Sequence, residues 1–272
     1  LHASFKLNSN GERLALIAQD GLTIVTDFTP TFPDQRRDIS YGYRDDGTLQ
    51  YADPPTPGAK NRHGVTGFVE DVAFSVKHGF HDAPFMLELT TATEGAEIVY
   101  TLDDREAGSG TIFTGPVGDP YTEPIEITQT TIVRAVAKKT GMEDSVLRTQ
   151  SYIFLDDVLG QPDQPEGFPE KWGSRNPDYG MDPDVVGPIY SNEEVKAALR
   201  SVPSISLVTE NDNLFARDGI YTNSQSKDLV NDGILDKWER PVSVELFGFP
   251  HGQTVQANAG IRMQGNASRS PN

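Results

Sequence analysis

Thr131-Ile132-Val133-Arg134-Ala135-Val136-Ala137, with Glu97-Ile98-Val99-Tyr100-Thr101-Leu102 before it and Thr149-Gln150-Ser151-Tyr152-Ile153-Phe154 after it, decides the fold class. These runs are short, rich in β-branched and aromatic residues, and bounded by turn formers such as Glu94-Gly95-Ala96, so they read as strands. Working outward, Phe85-Met86-Leu87-Glu88-Leu89-Thr90 and Tyr121-Thr122-Glu123-Pro124-Ile125-Glu126-Ile127 add two more. Strands and turns that recur roughly every 8–12 residues predict a β-sandwich. An acidic, glycine-rich loop, Asp103 to Gly110, interrupts it.

The flanks read differently. Phe5-Lys6-Leu7, Glu12-Arg13-Leu14-Ala15-Leu16-Ile17 and Leu22-Thr23-Ile24-Val25 alternate with polar turns, and Asp20-Gly21 and Asp46-Gly47 are hairpin signals. That unit closes at Pro54-Pro55-Thr56-Pro57, where proline cannot donate to a ladder. Beyond the sandwich, Gln161-Pro162-Asp163-Gln164-Pro165-Glu166-Gly167-Phe168-Pro169 has a linker's composition. Trp172, Tyr179, Met181 and Val185-Val186 suggest that it still docks onto something. Ser191 to Arg200 predicts a short helix with an N-cap and an acidic first turn. A last unit opens with the strand Val202 to Val208. The expected division is 1–62, 70–156, a linker with a short helix at 157–200, and 201–272.

Composition narrows the function classes. The 272 residues are 36% hydrophobic, with 25 Gly and 19 Pro, too apolar for a disordered chain and too rich in turn formers for a helical one. Forty acidic residues against 23 basic give a formal charge of −17, which repels phosphate backbones and argues against nucleic acid. Calcium binding or a salty medium suits such a surface, and so does simple solubility. With no cysteine, disulfides, thiolate zinc sites and cysteine nucleophiles are excluded. No apolar run approaches the roughly 20 residues of a membrane span. The chain opens with Leu1 and shows no signal peptide, so its natural start is expected to lie elsewhere.

Three resemblances follow from these blocks. Residues 1–62, with Gln35…Asp38-Ile39-Ser40-Tyr41-Gly42 and Thr56-Pro57-Gly58-Ala59-Lys60-Asn61, resemble the C-terminal half of a lamin-tail-like domain, an immunoglobulin-like sandwich. A half sandwich exposes its apolar face, which implies low stability alone. Residues 70–156, with Tyr100-Thr101-Leu102-Asp103, Pro124-Ile125 and Thr130-Thr131-Ile132-Val133-Arg134-Ala135, resemble the chitobiase/β-hexosaminidase C-terminal domain. That resemblance implies an accessory sandwich without glycosidase chemistry. Residues 201–272, with Trp238-Glu239-Arg240-Pro241 and Gly260 to Arg269, resemble the opening of a CotH-type kinase-like domain. The expected architecture is therefore mainly β: tandem immunoglobulin-like sandwich modules, a linker, and the N-terminal part of an α+β kinase-like domain.

Candidate chemistry concentrates at Arg262, Gly265, Ser268 and Arg269, which could offer cations and backbone amides to a nucleotide phosphate. The CotH resemblance implies that this strand and turn border the nucleotide site. An arginine on a strand before a glycine turn is also an ordinary structural feature. Asn266-Ala267-Ser268 fits a glycosylation acceptor. His78 and His81 could begin a metal site, against the plainer expectation of a solvent-facing bend. Glu210-Asn211-Asp212-Asn213 could attract calcium, against a polar turn, and it lacks the EF-hand order. Asp156-Asp157 and Asp182/Asp184 fall in linker sequence and nominate no catalytic pair. Tyr41, Tyr43, Tyr51, Trp172 and Tyr179 are available to a glycan, yet core packing accounts for most aromatics in a sandwich.

Three functions remain in view: a non-catalytic recognition, adhesion or spacer region, the front of a secreted atypical kinase, and an accessory region of a glycoside hydrolase. The first is expected for this chain, in a secreted or cell-surface bacterial protein with a surface protein or glycan as partner. No catalytic or metal residue and no cofactor is assigned to the chain itself. The complete parent domain would take ATP with magnesium or manganese.

Overall fold

The computed structural model describes residues 6–36, 39–61, 64–104, 118–172, 176–222, 238–249 and 254–263. The protein is mainly β and is built from several small sheets. It divides into two compact units, Leu1–Val69 with Lys139–Asp144, and Glu70–Lys138 with Ser145–Asn272.

In the first unit, β1 (Leu14–Ile17) pairs antiparallel with β2 (Ile24–Phe28), and β3 (Ser40–Tyr43) with β4 (Leu49–Ala52). Both turns need a left-handed residue, supplied by Gly21 at φ +71° and Gly47 at φ +80°. Asp20 braces the first turn by accepting from the Leu22 and Thr23 amides and the Thr23 hydroxyl. Aromatic rings form the core here. Tyr51 is buried, 4.9 Å from the Tyr41 ring and 4.4 Å from the Phe68 ring, and its hydroxyl donates to the Asp34 carbonyl at 2.7 Å. Leu16, Ile17, Leu22, Ile24 and Val25 of the first hairpin stand exposed. The expected strand at Phe5-Lys6-Leu7 does not form at its described residues, Lys6 and Leu7.

The second unit begins with β5 (Ala73–Phe74), β6 (Gly79–His81), β7 (Phe85–Leu87), β8 (Leu89–Thr90) and β9 (Glu97–Asp104). It continues with β10 (Asp119–Pro120), β11 (Ile125–Ile127), β12 (Thr131–Lys138) and β13 (Arg148–Phe154). Five strands form one sheet in the order β10-β9-β12-β13-β6, while β7 pairs with β11 and β5 with β8. The Phe85–Thr90 run, expected as one strand, is split. The Glu88 amide turns to the Ser75 hydroxyl, and the chain changes sheet partners after Leu87. Val133, Ala135, Ala137 and Tyr152 on one face of the large sheet are fully buried, as are Leu87 and Ile127 of β7 and β11.

Among the described residues, three helices and a three-stranded sheet complete the unit: α1 (Leu155–Leu159), α2 (Asn192–Ser201), β14 (Ser204–Val208), α3 (Asn211–Phe215), β15 (Arg240–Phe247) and β16 (Val255–Ile261). Helix α2 falls where its sequence predicts. Its Ser191 cap and Glu194 close a reciprocal capping box. Helices α1 and α3 are single five-residue turns, too short for an apolar period to announce them. Among the described residues no helix is long and apolar enough to cross a membrane.

The antiparallel β14-β15-β16 sheet lies across the outward face of the five-stranded sheet. Alternation along β12 and β13 sends Arg134, Thr149 and Ser151 to that face, where all three are buried. Ile205, Leu207 and Val255 of the three-stranded sheet alternate with its inward residues and are exposed.

Candidate functional site

Of the phosphate candidates, Arg262 is exposed and immediately follows β16, while Gly265, Ser268 and Arg269 lie outside the described residues. The Asn266-Ala267-Ser268 acceptor also lies outside them. Near the end of β16, Gly260 pairs with Pro241, and the Glu239 carboxyl sits where a Cβ on Gly260 would be. A carboxylate on this strand works against a phosphate beside it.

The two histidines separate. His78 is buried, which corrects the expectation of a solvent-facing bend. Its Nδ1 lies 3.5 Å from Glu245 Oε1, and its Nε2 is 3.5 Å from the Leu246 carbonyl. His81, on β6, packs on the Phe85 ring at 4.7 Å and the Tyr152 ring at 5.4 Å, with Nε2 3.1 Å from the Lys77 carbonyl. Burial pushes the His81 imidazole below its ordinary pKa.

Glu245 is the deepest charged group of the unit, with no exposed surface. It accepts from the Ser151 amide at 3.1 and 3.0 Å through its two oxygens, and from the Ser151 hydroxyl in a very short bond. Ser151 Oγ is also 2.9 Å from Ser206 Oγ on β14. Burial raises the Glu245 carboxyl above its usual range, and the Ser151 hydroxyl opposes that shift most among its partners. This constellation is not a nucleophilic triad, because Ser151 turns its hydroxyl to the carboxylate and not to the imidazole. Its position between two sheets makes it a polar weld. Along β15 the sequence alternates Val242-Ser243-Val244-Glu245-Leu246, which reads as placing Glu245 with Ser243 on a polar face, so nothing in the sequence signals its burial or names Ser151 as the partner.

The other carboxylates singled out in the sequence are also engaged. Glu210 stands at the N-cap position of α3 but gives its side chain to the buried Arg134 in a very short contact, so the polar turn expected there is a helix start turned onto the sheet. Asp156 lies 2.8 Å from Lys196 Nζ, and Asp157 accepts from the Thr130 amide at 2.5 Å. Asp182 accepts from the Asp184 amide at 2.9 Å. Among the described residues no group of three or more His, Asp or Glu side chains is placed to hold a metal.

The remaining feature is a cleft of about 330 Å³. Its floor is the outward face of the five-stranded sheet, at Ile132 and Ile153, with Ser206 of β14 to one side. Val158 of α1 and the segment around Gln161, Phe168 and Tyr179 wall it. Phe168 and Tyr179 meet edge to face at 5.4 Å, and Trp172, half-exposed, donates its indole N–H to the Tyr179 hydroxyl at 2.6 Å. Trp172 also packs on Phe215 and Tyr221, so five rings from 168–221 gather here. Tyr41 and Tyr51, by contrast, belong to the core of the first unit, with Tyr43 at its exposed edge. Sequence reasoning found Trp172 and Tyr179 but no stripe, because the rings come from loops of irregular spacing.

No curated protein and no solved structure matches the chain. A family model does match within it, over the strands that carry the histidines, Arg134 and Thr149: residues 76–149 are similar to the chitobiase/β-hexosaminidase C-terminal domain.

Proposed function

We propose that the chain is a non-catalytic recognition and spacer region of an exported bacterial multidomain protein of the CotH kinase family. In this reading residues 1–62 are part of a lamin-tail-like sandwich and 201–272 the start of the kinase-like domain. The observation that carries the non-catalytic reading is the match of residues 76–149 to a domain of accessory type. It is supported by the use made of the buried charges. Glu245, Arg134 and Glu210 join one sheet to another, which suits a stiff spacer better than a reacting centre. The ligands expected on this reading are a cell-surface protein or a glycan.

A second reading, the N-terminal part of a secreted atypical kinase, is favoured by the antiparallel β14-β15-β16 sheet leading straight to the exposed Arg262. One experiment separates the two. The purified chain, incubated with labelled ATP and magnesium or manganese, should phosphorylate neither itself nor a generic acceptor, and calorimetry should show no nucleotide binding. Metal-dependent turnover abolished by Arg262→Ala would replace the first reading with the second.

A further inference from the structure

The cleft between the sheet and Val158, Gln161, Phe168 and Tyr179 has an unusual lining for so acidic a protein. The chain carries forty Asp and Glu, yet none of the described residues that line the cleft is charged. An anion would lose its hydration there and face the Glu245 and Asp157 carboxyls behind Ser151 and Thr130. A cation would meet no charged group among the described lining residues, so the site favours a neutral ligand.

Size sets a second limit. An apolar cavity of about 150 Å³ takes a single benzene ring. At about 330 Å³ this cleft has room for two fused rings, against Ile132, Ile153, Val158 and the Phe168 ring.

The polar atoms set the third. With Ser151 donating its hydroxyl to Glu245, the Ser206 hydroxyl turns its proton towards the same pair and its acceptor lone pairs to the cleft. Gln161 spends one amide N–H on the Tyr179 carbonyl at 2.6 Å, which leaves its carbonyl oxygen as an acceptor and its second N–H as a donor. The Tyr179 hydroxyl already donates to the Pro169 carbonyl and accepts from Trp172. Ser206 and Gln161 therefore offer a ligand acceptors, and Gln161 one remaining donor, a short list of polar partners. A sugar, with a hydroxyl on nearly every carbon, would bury several of them unpaired. A mostly apolar ring with one N–H or O–H would not.

We infer that the cleft binds, as a free small molecule, an uncharged fused aromatic ring bearing a single N–H or O–H donor, which Ser206 or Gln161 receives. This names a ligand class for the region and rests on reading it as a recognition region. The test uses the whole chain and four probes: indole, its oxygen isostere benzofuran, indole-3-carboxylate and methyl β-glucopyranoside. Methyl resonances of Ile132, Ile153 and Val158 report occupancy. Indole should shift these methyls saturably, and benzofuran should bind about 5–10-fold more weakly for want of the donor. The carboxylate and the glucoside should leave the methyls unmoved. Val158→Phe, which fills the cleft, should abolish the indole shifts while the dispersed spectrum of the fold is kept. Indole that fails to move these methyls in the unsubstituted chain would overturn the inference, whatever the variant does. Benzofuran binding as tightly as indole, or binding by the carboxylate or the glucoside, would overturn it too. Such a failure leaves the spacer reading intact, since that reading falls on ATP turnover and not on these probes.

Discussion

At the scale of single residues, Glu245 does the most with the least exposure. A buried carboxyl with a raised pKa holds its proton more tightly folded than unfolded. Its contribution to stability is therefore largest below the ordinary carboxylate pKa and falls as pH rises from there through the raised value. Urea unfolding of Glu245→Gln should lack this component of the pH profile, and the comparison with the unsubstituted chain between about pH 4 and 8 isolates it. Glu245→Ala should cost about 2–4 kcal/mol, because the Ser151 amide, the Ser151 hydroxyl and His78 would lose their partner inside the protein. Asp20 is the opposite case. The Thr23 hydroxyl and amide and the Leu22 amide hold its carboxyl down at about 2. Its contribution is present above the ordinary value and is lost only as pH falls through about 2. A carboxyl titration followed by NMR should find this, and Thr23→Val should move Asp20 back towards the ordinary range.

At the scale of elements, local chemistry and packing divide the work unevenly. Helix α2 is written in its own sequence: Ser191 accepts from the Glu194 amide, Glu194 returns the bond to the Ser191 amide, and Arg200 sits in the last turn. Ser191→Ala should cost about 1 kcal/mol, read as a lower urea midpoint with unchanged slope. Strands β9, β12 and β13 are legible for a similar reason, as each is a run of β-branched and aromatic residues between turn formers. The break between β7 and β8 was not legible. Phe85 to Thr90 holds no turn former, and the two bonds between Glu88 and Ser75, 13 residues away, divide it. Helix α3 was hidden likewise, since Glu210 to Asn213 has the composition of a turn until Arg134 draws Glu210 onto the sheet.

At the scale of the molecule, the second unit is joined across its sheets by polar contacts from several strands. Arg134 meets Glu210, Ser151 meets Glu245 and Ser206, Arg148 meets Gln256, and the Asn258 amide reaches the Leu147 carbonyl. The two buried contacts, Arg134 with Glu210 and Ser151 with Glu245, couple the two sheets into one cooperative body, and the two nearer the surface add to them. Native-state hydrogen exchange should therefore give the amides of β13 and β15 the same opening free energy. Glu245→Ala should lower protection in both strands together. Loss confined to β15 would mean that the three-stranded sheet opens alone.

The sequence by itself determined the β class, the hairpin turns at Asp20-Gly21 and Asp46-Gly47, the capped helix, and the similarity of the middle strands to an accessory domain. These depend on neighbours within a few residues, or on a pattern repeated along one stretch of chain. The tertiary structure alone decided that Glu245 finds Ser151 across 94 residues, that His78 is buried and not solvent-facing, and that Phe168 and Tyr179 wall a cleft over Ile132 and Ile153. Such pairings carry no periodic signature. A charged or aromatic side chain on a strand or loop reads the same whether it meets water or a partner, and only the stacking of one sheet on another settles which.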